Sequence, residues 1–416
     1  MSDVVPKEVF ALPAVCWKCV EDEYLKSIIR EKGEPEECSL CNGDGERAFT
    51  ASDIAKLLDP IMQEHFTEGP EVKKFGPDDE EWYEQEGDPL SFHLQEVIGQ
   101  YLGFEDEIVE ALVEDEDVWE PDGDIPFFDS SADYVSKPTW PHSYYEEWNY
   151  VLAELKHRRR FFNSSAAGLF ERLFEGVDAR KWWNSKTRTA ENVVWELPEG
   201  TSLFRARICD STSLLNDAYR DPFKHVGPAP PADARAGRMN VEGVPVFYGA
   251  MDSETCLAET RPALGSNTAV ITMRTTRPLR VLDFARLEGS YHNLSYFQPD
   301  FTEQAEKGAF LRQLQRLISQ PIVPGRESDY LITQTMTEYL AHVHREPFDG
   351  LLFKSVQRAG GTNVVLFSGA DGKFPLVYLE DSFSLFSTRA IEYTNAKRDV
   401  GLIDDKVRIF SGPDDE

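Results

Sequence analysis

The sequence predicts an α+β protein in which a cysteine-bearing segment and a helical region precede a domain of alternating strands and short helices. Three observations predict this order. Two C-x2-C pairs lie within the first 41 residues, helical periodicity runs from about 50 to 185, and β-rich segments separated by turns continue to about 395. We therefore divide the chain into a cysteine segment at 1–48, a helical domain at 49–188, a β-rich domain at 189–395 and an acidic tail at 396–416.

Length and charge limit the classes of function. The 416 residues allow two or three domains, and 43 Lys and Arg against 74 Asp and Glu give a formal charge of −31. Such a surface repels phosphate backbones, so we do not expect nucleic acid as a partner. The opening MSDVVPKEVFALPAVCWKC lacks a basic n-region and a cleavage signature, and no stretch reaches membrane-spanning length. We expect a cytoplasmic protein without a membrane partner.

The first element is the cysteine segment, which reads CWKC and then CSLC. This C-x2-C, C-x2-C spacing allows four thiolates to form a tetrahedron around Zn²⁺, and four protein ligands leave no open position, so the zinc is structural. The alternative is a disulfide or redox pair, which a reducing compartment disfavours. Cys209 and Cys256 stand apart in apolar surroundings and are expected to be buried thiols. The four candidate zinc ligands are Cys16, Cys19, Cys38 and Cys41.

The helical domain follows, with three apolar faces at helical spacing. The sequence S-Y-Y-E at 143–146 predicts a capping box that opens the third of these helices. The basic block HRRR at 157–160 falls where this helix should end, and cations there complement the helix dipole, an interpretation we favour over a nucleic-acid contact. The three faces are Ile54, Leu57 and Leu58; Leu94, Val97 and Ile98; and Trp148, Val151, Leu152 and Leu155.

The β-rich domain opens with SLFRAR, which places Arg205 and Arg207 on one face of a strand. Two guanidinium groups so placed repel each other unless an anion or a carboxylate lies between them. The alternative is a pair of solvated charges on an edge strand.

The next strand and helix bring three chemical groups together. Alternation in VPVFYGA predicts that Tyr248 ends a strand, and Asp252 or Ser253 is a natural N-cap for a helix that carries Glu259. Arg238, just before the strand, supplies a planar guanidinium suited to phosphate oxygens. A phosphate clamp, a ring surface and an acid form a nucleotide-handling set, although residues of these types are also common at the rims of strands and helices.

A last helix, strand and turn complete the domain. The segment ESDYLITQTMTEYLAHV has apolar residues at helical spacing, and FDGLLFKSVQRAGGTNVVLF predicts a strand, Ser355, a glycine turn and a buried strand. A serine in this position is usually a turn residue. Ser355 therefore gains a functional meaning only from the wider pattern.

That wider pattern resembles the RES domain, named for its Arg, Glu and Ser and found in bacterial toxins that consume NAD, over residues of about 200 to 370. The family's "YR" is similar to the Phe-Arg pair ending at Arg205, its "GRWN" to GRMN at 237–240, and its "VVYxA…LAxxE" to residues 246–259, with Ser355 as the final serine. Methionine replaces the family's more usual tryptophan in GRMN. Arg207 makes the assignment of the early arginine ambiguous by two positions.

The resemblance implies a fold similar to ADP-ribosylating toxins, with a twisted mixed β core and flanking helices, and cleavage of the nicotinamide–ribose bond of NAD⁺. Glu259 would face the oxocarbenium-like cation that develops at C1′. Arg205 and Arg238 would hold the pyrophosphate, with Arg207 as the other candidate for this role. Tyr248 would pack against nicotinamide, and Ser355 would hydrogen-bond the amide or the ribose.

The resemblance leaves the acceptor open. Water gives an NAD glycohydrolase, inorganic phosphate an NAD phosphorylase, and a protein or nucleic-acid group an ADP-ribosyltransferase. A different class of alternative is a non-catalytic nucleotide-binding protein that recognises its partner through the zinc knuckle. For a bacterial toxin or defence effector the expected partners are NAD⁺, with inorganic phosphate, a protein antitoxin or trigger, and a second copy of the chain as further candidates.

The helical region of about 50 to 185 resembles, less specifically, the HEPN-type domains that precede RES domains in some larger proteins. HEPN ribonucleases use an Arg and a His four to six residues apart. Arg220 and His225 are a close match, but they lie in the RES-like region. A ribonuclease is therefore disfavoured, as it is by the charge of −31.

Overall fold

The structure, a computed structural model, describes residues 12–75, 81–116, 126–319, 327–369, 371–390, 399–403 and 406–410. These ranges combine helices with a twisted mixed sheet, which confirms the predicted fold class. Within the same ranges no helix has the length and apolarity needed to cross a bilayer. The chain divides into two compact units, the first formed by Met1–Tyr150 and Glu288–Leu314 and the second by Val151–Leu287 and Gln315–Glu416.

Among the described residues, four helices and three small sheets lie wholly within the first unit. Its helices are α1 (Glu23–Lys32), α2 (Ala51–His65), α3 (Leu90–Ile98) and α4 (Glu105–Asp115). Its strands are β1 (Ala14–Cys16), β2 (Glu34–Glu36), β3 (Glu46–Thr50), β4 (Phe66–Glu68), β5 (Glu71–Phe75), β6 (Glu81–Gln85), β7 (Asp88–Pro89) and β8 (Asp133–Ser136). They pair in the orders β1-β3-β2, β4-β8-β7 and β5-β6, and all of these pairs are antiparallel.

The core of the first unit follows from the periodicity of its sequence. The predicted faces at 54–58 and 94–98 are buried except for Leu57, which is half-buried, and Phe297 from the 288–314 segment joins them. Helix α2 opens with a capping box between Thr50 and Asp53. The capping box predicted at 143–146 is wrong, because its helix already begins at His142, which places Ser143 inside the first turn. The Ser143 hydroxyl donates instead to Glu306, at 2.7 Å.

The remaining helices include α5, which covers the end of the first unit and the start of the second, and α11, which also extends into both. The helices are α5 (His142–His157), α6 (Ser164–Leu173), α7 (Thr212–Arg220), α8 (Pro222–Val226), α9 (Ser253–Glu259), α10 (Phe284–Gly289), α11 (Phe301–Ser319) and α12 (Leu331–Glu338). A π-helical turn at Tyr339–Val343 continues α12, and 3-10 turns lie at Val177–Ala179, Pro231–Asp233 and Glu327–Tyr330.

A nine-stranded sheet forms the centre of the second unit. Its strands are β11 (Val194–Leu197), β12 (Ser202–Ile208), β13 (Val246–Ala250), β14 (Asn267–Thr275), β15 (Leu279–Asp283), β16 (Gly350–Lys354), β17 (Thr362–Phe367), β18 (Leu376–Tyr378) and β19 (Ser384–Ser387). The order is β11-β15-β16-β17-β13-β12-β14-β18, and β19 pairs with β14 as well. Only β15 and β16 are parallel among the described pairs. Strand β13 thus lies beside β17, and β17 beside β16, although β13 is far from the other two in sequence.

Two hairpins complete the described strands. The first pairs β9 (Lys181–Asn184) with β10 (Thr189–Asn192), and the second pairs β20 (Asp399–Ile403) with β21 (Lys406–Phe410). The second hairpin lies within the segment that the sequence marked only as an acidic tail. Residues 396–398, 404–405 and 411–416 of the tail lie outside the described residues.

The boundary between the two compact units lies at residue 150, whereas the composition of the sequence suggested a boundary at 188. Residues 151–188 pack with the second unit because their apolar side chains find partners there. The rings of Phe170 and Phe174 pack on Tyr339, and Asp178 forms an ion pair with Arg280. As predicted, α5 ends at the basic block, at His157, and the thiols of the β-rich domain are buried.

Candidate functional site

A cavity of about 580 Å³ opens in the second unit and lies within the usual size range of small-molecule sites. Its walls come from the 235–240 loop, strands β12, β13, β16 and β17, the end of α9 and the end of α11. Four of the residues expected to act on a nucleotide line it: Arg205, Arg238, Tyr248 and Glu259. Strand order rather than sequence proximity brings them together.

Glu259 is the last residue of α9, whose N-cap Asp252 accepts from the Thr255 N–H at 2.8 Å. One carboxylate oxygen of Glu259, Oε1, accepts two hydrogen bonds. The Ser355 hydroxyl donates at 2.6 Å, and the Asn363 amide donates through Nδ2 at 2.8 Å. The structure thus joins the predicted Glu and Ser, and it adds an asparagine on β17 that the sequence had shown only as part of a buried strand.

Ser355 follows β16, and the surrounding backbone fixes the orientation of its hydroxyl. The oxygen accepts from the N–H groups of Gln357, at 3.1 Å, and Arg358, at 3.2 Å. With its lone pairs engaged in this way, the hydroxyl proton is directed to Glu259. Ser355 is not among the described residues that line the cavity, so its contact with the site runs through the carboxylate.

The loop after Ser355 is anchored to the helix that carries Glu259. Arg358 pairs with Asp252 at 3.1 Å and donates to the Thr255 hydroxyl at 3.3 Å. Gly360 has a φ of +74°, and a Cβ at Gly361 would lie 2.4 Å from the Thr255 hydroxyl oxygen. The Gly-Gly turn therefore allows the loop and the helix to approach closely enough for Ser355 to reach the carboxylate.

Tyr248 and α12 hold the GRMN loop. The Tyr248 hydroxyl accepts from the Met239 N–H at 3.1 Å and donates to Asn240 Oδ1 at 2.9 Å. From α12, Gln334 donates to the carbonyls of Gly237, at 2.7 Å, and Asn240, at 3.0 Å. Burial raises the pKa of Tyr248 to about 12, so the phenol keeps the proton that it donates. Neither the asparagine nor the glutamine was singled out in the sequence.

Arg238 points from this loop into the cavity wall. Its Nη1 donates to the Ile318 carbonyl at 2.7 Å, whereas its Nε is buried without a hydrogen-bond partner among the described residues. Burial lowers the pKa of Arg238, but a guanidinium remains charged in proteins. A buried charged group with an unused donor at a cavity wall is suited to binding an anionic or carbonyl oxygen of a ligand.

The two arginines of SLFRAR have different surroundings. Arg205 lines the cavity, and its guanidinium donates to the carbonyls of Val226, at 2.7 Å, Gly227, at 3.1 Å, and Tyr248, at 2.5 Å. Burial lowers its pKa. Arg207 is exposed, donates to the His225 carbonyl and lies outside the cavity lining. Backbone carbonyls, rather than a carboxylate, surround the two guanidinium groups.

The charge of the cavity is opposite to that of the chain. Four arginines line it, together with a single carboxylate, that of Glu259, among the described residues. Arg235 and Arg261 are two of the four lining arginines, and neither was predicted from the sequence to be a site residue. Each of these two arginines lies within three residues of a predicted site residue, so their closeness to the GRMN and LAET segments could have indicated them. A cationic cavity in a chain of −31 favours an anionic ligand.

The cysteine cluster lies in the first unit. The four sulfur atoms are within 4.8 Å of one another, and those of Cys16 and Cys41 are 3.8 Å apart. A tetrahedron with Zn–S bonds of about 2.3 Å has edges of about 3.8 Å, whereas a disulfide bond is about 2.05 Å long. All four thiols are free in the structure. The four predicted cysteines therefore lie close together and could bind a metal ion.

Backbone amides also support this cluster. The Cys16 N–H donates to the Cys38 sulfur at 3.3 Å. The pKa of Cys38 is lowered to about 7: burial acts to raise it, but backbone N–H groups of Cys16, Cys41 and Leu40 outweigh burial. Burial raises the pKa of Cys19. Amides directed at sulfur favour the thiolate form that metal ligation requires.

Comparison with known proteins adds one match. The profile of the RES domain matches residues 203–385, a range that contains most of the cavity wall together with Glu259, Ser355 and Asn363. No curated protein and no solved structure matches the chain.

Proposed function

Because residues 203–385 form a RES domain, we propose that this chain cleaves the nicotinamide–ribose bond of NAD⁺. A RES domain is consistent with a toxin or effector that acts on NAD, and such domains are linked to toxin–antitoxin systems. The observation that carries the proposal is the Glu259 carboxylate, held by Ser355 and Asn363 beside an arginine-lined cavity. A protein antitoxin or trigger belongs to the same proposal.

The chemistry follows from where charge develops. As the C1′–N bond breaks, its electron pair leaves with nicotinamide, which becomes neutral, and the positive charge moves to the ribose as an oxocarbenium-like ion. A carboxylate beside C1′ stabilises that charge. Because both hydrogen bonds to Glu259 reach Oε1, Oε2 is the oxygen that would face the cation or a ribose hydroxyl.

The arginines would hold the pyrophosphate. Arg238 has an unused Nε, while Arg235 and Arg261 bring further guanidinium groups to the same wall. Arg205 contributes positive charge at the cavity wall, where its three hydrogen bonds hold the 226–227 backbone and β13. We assign the early arginine of the family pattern to Arg205, because Arg207 lies outside the lining.

Tyr248 and Ser355 receive more specific roles. The Tyr248 hydroxyl is engaged with the GRMN loop, which leaves its ring as the surface available to nicotinamide. Ser355 acts on the substrate through Glu259: it orients the carboxylate by hydrogen bonding. Ser355 is therefore a positioning residue.

The test is incubation of the purified protein with NAD⁺, with and without inorganic phosphate, followed by chromatography of all products. Nicotinamide with ADP-ribose identifies water as the acceptor, nicotinamide with a phosphorylated ADP-ribose identifies phosphate, and label retained on protein or nucleic acid identifies a transferase. The proposal fails if the folded protein releases no nicotinamide under any of these conditions, or if Glu259→Gln releases it at the wild-type rate.

We also propose that the cysteine cluster holds a structural Zn²⁺. Four sulfurs at tetrahedral spacing leave no position for substrate, which suits a structural role in the first unit. Metal analysis of the purified protein tests the identity and the ratio of the metal to the chain. One zinc per chain supports the proposal, and a ratio near zero in folded protein contradicts it.

A further inference from the structure

The side-chain oxygen of Asn363, Oδ1, has no part in holding the Glu259 carboxylate. Its Nδ2 donates to Glu259, while its Oδ1 is buried and has no hydrogen-bond partner among the described residues. The residue is 6% exposed and lines the cavity. The orientation of the amide is fixed by chemistry, because only the NH₂ group can donate to a carboxylate oxygen. A buried acceptor is therefore left for a donor that no described part of the chain supplies.

An unpaired buried carbonyl oxygen gives up its hydrogen bonds to water without replacement, so its presence at a cavity wall indicates that a ligand supplies the partner. The oxygen belongs to the side chain that also holds the Glu259 carboxylate, and it therefore lies close to the reacting end of the substrate. At that end NAD⁺ offers two kinds of donor, the ribose hydroxyls and the carboxamide N–H of nicotinamide.

The neighbour of Asn363 across the sheet favours the carboxamide. In the antiparallel pair β16–β17, Phe353 lies directly opposite Asn363, which places the two side chains on the same face. Phe353 also lines the cavity. A phenyl ring next to an amide acceptor matches a planar heterocycle with an N–H donor at its edge better than it matches a diol.

We propose that Asn363 and Phe353 form a subsite that recognises the carboxamide of nicotinamide, with Asn363 Oδ1 accepting an N–H of that group. The inference rests on the proposed function, since it assigns the substrate end that lies beside Glu259. It makes the site selective for a carboxamide over a carboxylate in the same position, because a carboxylate presents a second acceptor to Oδ1 in place of a donor.

The experiment compares cleavage of NAD⁺ and nicotinic acid adenine dinucleotide by the full chain. The measured quantity is the ratio of kcat/KM for the amide substrate to kcat/KM for the acid substrate. Leaving-group reactivity contributes equally in every variant, so a change in this ratio between variants reports on the site alone. In Asn363→Leu, which keeps the branching at Cγ and removes both the acceptor and the donor, we expect the ratio to fall about 10-fold or more.

Ser355→Ala is the matched control. It removes the other hydrogen bond to Glu259 and leaves the amide acceptor in place, so both substrates should slow equally and the ratio should stay within about 2-fold of wild type. Asn363→Ala serves as a second variant, and the melting temperature of each variant shows whether it folds. An equal loss on both substrates in the folded Asn363 variants would mean that Asn363 only positions Glu259 or meets a ribose hydroxyl, and would overturn the inference.

Binding separates this inference from the proposed function. Calorimetry with the Glu259→Gln variant compares the affinity for NAD⁺ and for the acid analogue without turnover. A preference for NAD⁺ that Asn363→Leu abolishes, in a protein that releases no nicotinamide, would retain the carboxamide subsite and reject the cleavage. Cleavage with an unchanged substrate ratio in Asn363→Leu would retain the proposed cleavage and reject the carboxamide subsite.

Discussion

The cysteine cluster of the first unit and the cavity of the second are assembled in different ways. All four cysteines come from one stretch of 16–41, and neighbouring turns bring them together. The Glu259 carboxylate depends on Ser355 and Asn363, which approach it only because β17 lies between β13 and β16. The cysteine cluster is built from residues that are close in the sequence, whereas the surroundings of Glu259 depend on the order of strands in the sheet. Only an arrangement of the first kind can be predicted from residue spacing alone.

The proximity of the four cysteines was predictable from the sequence, because two C-x2-C pairs at this spacing are typical of four-thiolate metal sites. The fold class and the buried faces of the first-unit helices also follow from local periodicity. For the second site, the family pattern selected Glu259, which lines the cavity, and Ser355, which contacts Glu259 from outside the lining. Asn363 was not selected, because it lies in a buried strand whose alternation does not show which side chain meets a ligand. Arg235 and Arg261 were missed because neither belongs to a strand or helix with a readable face.

The units are also interleaved in sequence. The segment Glu288–Leu314 lies within the RES-domain match and yet packs with the first unit, where Phe297 joins the core. A domain boundary drawn from composition could not predict this, because neither the charge nor the hydrophobic periodicity of the sequence changes where the chain passes from one unit to the other.

Loss of a zinc ligand should have the largest effect, and it should fall on the first unit. In Cys38→Ser we expect loss of bound zinc and unfolding of the cysteine segment, because zinc binding in such sites contributes on the order of 10 kcal/mol. Metal content and the near-ultraviolet circular dichroism of the tryptophans measure this. Cys209→Ala, at a buried thiol outside the cluster, should retain one zinc per chain. Zinc retained in Cys38→Ser would contradict the assigned ligand set.

Glu259→Gln should reduce nicotinamide release by about 10³-fold, because it removes the charge that stabilises the developing cation and keeps the shape of the side chain. The melting temperature should stay within about 2 °C of wild type. Glu199→Gln, at an exposed turn, is the matched control and should retain full activity. If both variants are equally active, the carboxylate is not part of the chemistry.

Ser355→Ala should reduce kcat about 10- to 100-fold with a small change in KM, because the carboxylate loses one of two hydrogen bonds to Oε1 but keeps its charge. Steady-state kinetics with NAD⁺ measures this split. Ser355→Thr, which restores a hydroxyl, should recover part of the rate. A large rise in KM with unchanged kcat would indicate direct contact between Ser355 and substrate instead.

The smallest effect concerns Tyr248 and high pH. Its folded pKa of about 12 lies above the ordinary value of about 10, so the folded state holds this proton more tightly than the unfolded state does. Its contribution to stability is complete below about pH 10 and is lost as pH rises towards 12. Tyr248→Phe should therefore lose less stability than wild type between pH 9 and about 11 in denaturant titrations. Parallel stability curves for the two proteins would contradict this assignment.

The long sequence separation around Glu259 also has a consequence for biosynthesis. The partners of the carboxylate are residues 355 and 363, so a nascent chain that has passed Glu259 still lacks both hydrogen bonds and the strand that completes the cavity wall. Non-local strand pairing must await the synthesis of its last strand. A nascent chain therefore lacks both hydrogen bonds until nearly seven-eighths of the sequence has been translated, and truncated products that end before β17 lack the strand that the proposed cleavage requires.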